Sequence, residues 1–336
     1  MRSYQLTPGA GPDGLALREH EVPEPGRGQA LVRVRASALS LRELMVLAGD
    51  YPLPIRPGVV PVCAGAGEVV AVGEGVTRVA VGDRVAATVF PDWIDGPFGW
   101  EVAAQLGSSR DGMLTEFALV EEGGLVPFPG HLSFEEAAAL PLTAVTAWNA
   151  VTGGRPLRAG ETVLTLGSGS VSLFALRFAV LAGARVIATT SDQAKARRLK
   201  ELGADQVIDY RATPEWHETV RELTGGRGAD LVVEVAGTLE QSLRAVAVEG
   251  EVALVGLSLA AKDAAPPTVA TLFRSGARVR SLAVGSRAQF TAMNRAVTAH
   301  RLRPVIDRVF PFEDAPAAFR YYRAGGFLGQ VVISHG

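Results

Sequence analysis

"VLTLGSGSVSLFALRFAVLAGARVIATT", Val163–Thr190, is the stretch whose reading decides the fold. A short apolar run, Val163–Leu166, meets a glycine-rich turn. A long apolar run follows that reads as a helix, and "RVIATT" then reads as a second strand. A dinucleotide fingerprint needs this strand–turn–helix context. Gly167 permits the tight turn, and Gly169 lets the backbone approach a pyrophosphate seated on the N-terminus of the next helix. Ser168, Ser170 and Val171 complete the candidate cradle. Ser172 stands where a third glycine would allow close helix–strand packing, and serine is small enough to approximate it. The competing reading is a tight turn with no ligand.

The flanking sequence favours the cradle. Downstream come helix "QAKARRLKELG", strand "QVIDY", helix "EWHETVRELTG", strand "DLVVEVAG", helix "LEQSLRAVAVEG" and strand "EVALVGL". Buried strands alternating with amphipathic helices predict a doubly wound parallel sheet. Upstream, Ser133 and Glu136 form a capping-box pattern at the start of "SFEEAAALPLTAVTAWNAV". The first third has another rhythm. "ALVRVRASAL" alternates as a half-buried strand does, and frequent glycines cut the rest into short strands, with a tight turn at Gly82–Asp83. That pattern predicts a small β-barrel. The C-terminal part predicts a helix near Phe290–Ala299 and a last strand, "GQVVIS".

The whole chain has 336 residues, enough for two domains, with 48% hydrophobic and 20% charged residues. A net charge of −2 without a basic run argues against nucleic acid and anionic membrane as partners. The N-terminus lacks an apolar signal region, and Arg177, Gly183 and Arg185 interrupt the most apolar stretch, so neither secretion nor a membrane span is expected. A single cysteine, Cys63, excludes an internal disulfide and a thiolate-rich zinc site. The expectation is a cytoplasmic protein.

The end of the second strand bears on the cofactor. An NAD site places a carboxylate there for the ribose hydroxyl. Here Thr190 occupies that place, and Asp192, two residues on, reads as a helix N-cap. Ser191, Lys195 and Tyr210 are instead candidates for a 2′-phosphate. Their plain alternatives are a cap, a solvated helix charge and a strand-end packing group. NADP(H) is expected over NAD(H), because an anion prefers a site with a cation and no carboxylate.

"GEVVAVGEGVTRVAVGDRV", "GMLTEFALV", "LPLTAVTAWNAV", the opening stretch, "KELGADQVIDYR" and "GQVVIS" together resemble the medium-chain dehydrogenase/reductase superfamily. The resemblance implies an α/β chain with a GroES-like β-barrel catalytic domain, residues 1–123 and 290–336, and a Rossmann domain, residues 124–289. The cofactor is expected between them. Thr143 and Thr146 match the nicotinamide-contacting region, and Gly256, Leu257 and Leu328 are further expected cofactor contacts. Ser40 and Cys63 stand where zinc-dependent members carry ligands, the third ligand position near "LPLT" has no donor, and the four-cysteine lobe is missing. The chain therefore resembles the zinc-free, quinone oxidoreductase-like branch, with no metal. That branch implies an electrophilic small molecule, a quinone or α,β-unsaturated carbonyl, as acceptor. A zinc-free alcohol or aldehyde dehydrogenase-like enzyme and a silent NADPH-binding sensor are the rival readings. Tyr51 and Ser40 are the expected catalytic residues. Trp93, Phe98 and Trp100 form an aromatic loop that walls the pocket or covers the barrel end. The strand at "VRSLAVGSR" implies a homodimer.

Overall fold

A computed structural model describes residues 1–256 and 266–336. The chain divides into two compact units, Met1–Val145 with Gly285–Gly336, and Thr146–Val284. The first opens with the antiparallel pair β1 (Arg2–Leu6) and β2 (Leu15–Glu19). Then come β3 (Gln29–Ala38), α1 (Leu41–Ala48), β4 (Ala64–Val72), β5 (Arg84–Ala87), β6 (Phe117–Glu121), β7 (Leu125–Pro127) and α2 (Phe134–Ala138). Ser133 caps α2 with the capping box expected from Glu136. A π-helical turn, Leu140–Ala144, follows.

The second unit holds α3 (Val145–Thr152, its first residue in the other unit), β8 (Thr162–Thr165), α4 (Ser170–Leu181), β9 (Arg185–Thr190), α5 (Gln193–Glu201), β10 (Gln206–Asp209) and α6 (Trp216–Leu223). It continues with β11 (Ala229–Glu234), α7 (Leu239–Ala245), β12 (Val246–Val255), α8 (Val269–Ser275) and β13 (Arg278–Leu282). Among the described residues these strands form one parallel sheet in the order β10-β9-β8-β11-β12-β13. All residues of β8 and β11 are buried, as strands covered on both faces require. Leu164, Ile187, Trp216, Val220, Val232 and Val252 fill the core. The doubly wound sheet is thus as expected. The helix expected through "LRAVAVEG" is not: it stops at Ala245, and Val246 begins β12 beside Ala229. β-branched Val246 and Val248 suit a strand, and Glu249 at φ 62 bends it.

The chain then re-enters the first unit with α9 (Arg287–Ala299), β14 (Ile306–Pro311), α10 (Ala315–Ala324) and β15 (Gln330–Ser334). Among the described residues its main sheet runs β14-β15-β3-β4-β5-β7, with β6 on β3. The GroES-like domain was expected in this part of the chain. The units part at Val145 and Gly285, rather than at 123 and 290 as expected. The reason is bonding: β7 pairs with β5, and Arg287 and Ala288 donate to the Trp93 and Ile94 carbonyls.

The end of the chain gives this unit a pH dependence. His335 Nδ1 lies 3.1 Å from the Thr115 carbonyl, so it must donate, and Nε2 at 3.0 Å then accepts from Ser37 Oγ. Burial pushes its pKa down to about 4, against the pull of the Thr115 carbonyl, Glu116 and Glu313. On acidification the unfolded chain takes this proton first, near pH 6.5. Stability should therefore be flat above that pH and fall between pH 6.5 and 4, by about 2–3 kcal/mol. Denaturant midpoints across pH should show this slope in the native chain and not in His335→Gln. Equal slopes would refute the assignment.

Candidate functional site

The sheet order reverses at β8: β9 and β10 lie to one side, β11–β13 to the other. Ligands of such sheets bind outside the C-terminal strand ends at this switch point. The glycine turn Gly167–Gly169 sits there, between β8 and α4. Gly167 has φ 76, and its N–H donates to Thr189 Oγ1 at 3.0 Å. Gly256, just past β12, has φ 68. Both conformations favour glycine. A Cβ added at Gly167, Gly169 or Gly256 would meet no atom of the described residues within 4 Å. Gly169 is the N-cap of α4 and offers no side-chain cap, and the first turn of α4 has no acidic residue. The first N–H groups of a helix have no intrahelical carbonyl to bond, and its dipole favours an anion. Ser168, Ser170 and Val171 line this turn, partly exposed. Ser172 shows why a serine serves in the third glycine's place: it is buried and donates to the Leu166 carbonyl at 2.6 Å, tying helix to strand. Open backbone at the switch point, facing a helix start, fits a dinucleotide pyrophosphate.

Thr190 and Asp209 are register partners, and Tyr210 N–H donates to the Thr190 carbonyl at 3.0 Å. Ser191 and Tyr210 thus follow neighbouring strand ends, with Lys195 in the first turn of α5. Tyr210 is exposed. Asp192 accepts from Lys195 N–H at 3.0 Å as the N-cap of α5. That bond, first among the causes, holds its carboxyl below the usual range. Its carboxylate is engaged with its own helix. Leu257 lies outside the described residues. Leu328 lies in the first unit, its N–H on Asp307 at 2.8 Å.

Thr143 is buried in the π-helical turn, its hydroxyl 2.8 Å from the Ala139 carbonyl and 3.1 Å from Gln330 Oε1. Gln330 also donates to the Leu39 carbonyl, so one buried amide links Thr143 to the residue before Ser40. Thr146 is buried in the other unit. Ser40 Oγ is buried with no hydrogen-bond partner among the described residues. The Tyr51 hydroxyl lies 3.0 Å from Gln105 Oε1.

A polar core that the sequence reading missed surrounds Tyr51. Glu43 is fully buried, and Arg42 holds its two oxygens at 3.0 and 3.2 Å. The Cys63 thiol donates to Glu43 Oε1 at 3.1 Å. Burial, then Glu43, pushes the Cys63 pKa well up, so the thiol keeps its proton. Desolvation works against the Arg42 charge, but the neighbouring Glu43 carboxylate offsets it and its pKa stays above the ordinary value. The signal was the helix period: Glu43 shares a face with Val46 and Leu47, both buried. Zinc does not fit these residues. The one carboxylate is paired to a guanidinium, and no three His, Cys, Asp or Glu among the described residues are placed to hold a metal ion. In the aromatic loop, Phe98 lies 5.1 Å from both Phe90 and Trp93 and 5.8 Å from Trp100, ring centre to ring centre. Trp93 is core, whereas Trp100 is 77% exposed.

A two-domain architecture with a glycine cradle at the switch point of a parallel sheet defines a dinucleotide-dependent oxidoreductase class. The chain belongs to the medium-chain dehydrogenase/reductase superfamily: the alcohol dehydrogenase GroES-like domain matches residues 26–130, and the zinc-binding dehydrogenase domain matches residues 170–299. A zinc-type alcohol dehydrogenase-like protein of Schizosaccharomyces pombe is 38% identical over 96% of each chain. A quinone oxidoreductase of Pseudomonas aeruginosa is 35% identical over 74% of this chain and 71% of its own. A crystal structure of an NAD-dependent alcohol dehydrogenase superposes with a TM-score of 0.89 at 35% identity over the full length of both chains. A mycobacterial structure complexed with NADPH does so with a TM-score of 0.82 at 28% identity, also full length. Among the described residues no helix is long and apolar enough to cross a membrane.

Proposed function

We propose that this protein is a metal-independent, cytoplasmic NADPH-dependent reductase of quinones or α,β-unsaturated carbonyl compounds. The observation that carries the reading is the open backbone at Gly167 and Gly169 before the uncapped start of α4. NADPH, when bound, supplies a hydride, and the conjugated carbonyl of the acceptor takes up the negative charge. The chain's own part is to bind, orient and stabilise. The α4 N-terminus holds the pyrophosphate. Ser191, Lys195 and Tyr210 hold the 2′-phosphate, and Asp192 does not compete because it caps α5. Ser40, with its buried hydroxyl unspent among the described residues, donates to the developing enolate. Tyr51 borders the acceptor. The quinone oxidoreductase relative and the NADPH-bound structure support this reading, and the NAD-dependent neighbour marks the rival cofactor. We also place a homodimer contact along β13, an edge strand among the described residues with Val279 40% exposed. Sedimentation at the monomer mass would remove that contact.

Cofactor choice is testable on its own. A charge-assisted bond from Lys195 to the 2′-phosphate is worth about 1.5–3 kcal/mol, or about ten- to a hundredfold in affinity. Lys195→Ala should weaken NADPH by that factor and leave NADH unchanged in titrations at one fixed salt concentration. Equal weakening of both would show that Lys195 does not read the phosphate.

A further inference from the structure

Gln105 Oε1 accepts from Arg42 Nε at 3.2 Å and from Arg42 Nη2 at 3.0 Å. That atom is therefore the amide oxygen, and the Tyr51 hydroxyl 3.0 Å away must be donating to it. Gln105 is buried. Arg42 cannot swing away easily. Glu43 and the Leu106 carbonyl fix its guanidinium, which lies 4.8 Å from the centre of the Tyr51 ring. Tyr51 is thus held by its ring and by its hydroxyl, and its only polar proton is used inside the protein. What its half-buried oxygen has left to offer outward is a lone pair. We propose that Gln105, held by Arg42, is a positioning residue that presents the Tyr51 oxygen as a hydrogen-bond acceptor, so that the site prefers acceptors carrying an O–H or N–H donor beside the reducible double bond.

This inference rests on the reading that Tyr51 borders the acceptor. It also divides the polar work: the developing enolate takes its bond from Ser40, and Tyr51 reads a neighbouring donor group. An acceptor with an ether in that place would set two oxygen lone pairs against each other, whereas a hydroxyl completes a bond.

The test compares a 2-(hydroxymethyl)enone with its methyl ether, by kcat/KM with NADPH and by affinity for the protein loaded with NADP+. The wild type should favour the hydroxyl compound about tenfold in both measurements. Tyr51→Phe should bring both ratios to about one. Gln105→Leu should do the same by freeing the phenol to donate outward, and Gln105→Glu, which keeps an acceptor, should keep the preference. If Gln105→Leu fails to fold, Tyr51→Phe decides, since it removes one half-buried hydroxyl. A wild-type ratio near one, or a ratio that Tyr51→Phe leaves intact, overturns the inference. A tenfold binding preference without turnover upholds it and sinks the reductase reading. Turnover without preference does the reverse, and neither binding nor turnover sinks both.

Discussion

Replacing Arg42 by methionine will lower the unfolding free energy by about 3–5 kcal/mol, the cost of leaving a buried carboxylate without its counter-ion. Glu43 has no exposed surface, and Arg42 supplies both of its charge-assisted bonds. The remaining partners, the Cys63 thiol at 3.1 Å and its N–H at 3.3 Å, are weak or long. The Leu106 carbonyl loses its Arg42 donor in the same change, and Gln105 Oε1 keeps only the Tyr51 hydroxyl. Exchanging the whole pair, Arg42→Met with Glu43→Leu, should recover most of the loss, because an apolar pair carries no desolvation cost. Denaturant midpoints of the two variants decide the matter. A loss below about 1 kcal/mol in the single variant would mean that the pair is solvated.

Gly169→Val will leave the fold intact and weaken NADPH by about a hundredfold or more, some 2.7 kcal/mol. Gly169 has φ −72 and ψ 167, which an L residue adopts without strain. Its Cβ would meet no atom of the described residues within 4 Å, so valine should cost the apo protein little beyond a poorer N-cap. The branched side chain would occupy the space the pyrophosphate needs. Thermal unfolding and a NADPH titration separate the two effects. An unchanged affinity would remove the dinucleotide from this turn.

The Rossmann half was legible because its signals are local. β-branched runs, glycine at the turn and amphipathic helices each act within a few residues, and Gly167 and Ser172 could be assigned roles from their neighbours alone. The end of α7 was misread because alanine and valine in "RAVAVEG" suit either element, and pairing with β11, a nonlocal contact, settles it. The boundary near residue 123 shifted for the same kind of reason, since β7 belongs with β5 through bonds across the chain. The polar core around Tyr51 was hidden most deeply. Arg42 and Glu43 are adjacent charges at a helix start, a pattern that usually faces water. Gln105 lies more than sixty residues from Arg42, and nothing in its own segment announces the contact. Tyr51 was recognised as a site residue, but the partner of its hydroxyl, Gln105, was not.

Hydride transfer from NADPH to a quinone or a conjugated double bond without a metal is the central claim, and one assay reaches it directly. Protein treated with a strong chelator, with its metal content measured, is offered NADPH with a naphthoquinone, a cyclohexenone or an aliphatic aldehyde. The account predicts that NADPH is consumed with the quinone or the enone, that the aldehyde is a poor acceptor, and that added zinc changes nothing. Activity that disappears with the chelator and returns with one equivalent of zinc, or turnover of the aldehyde alone, would contradict it.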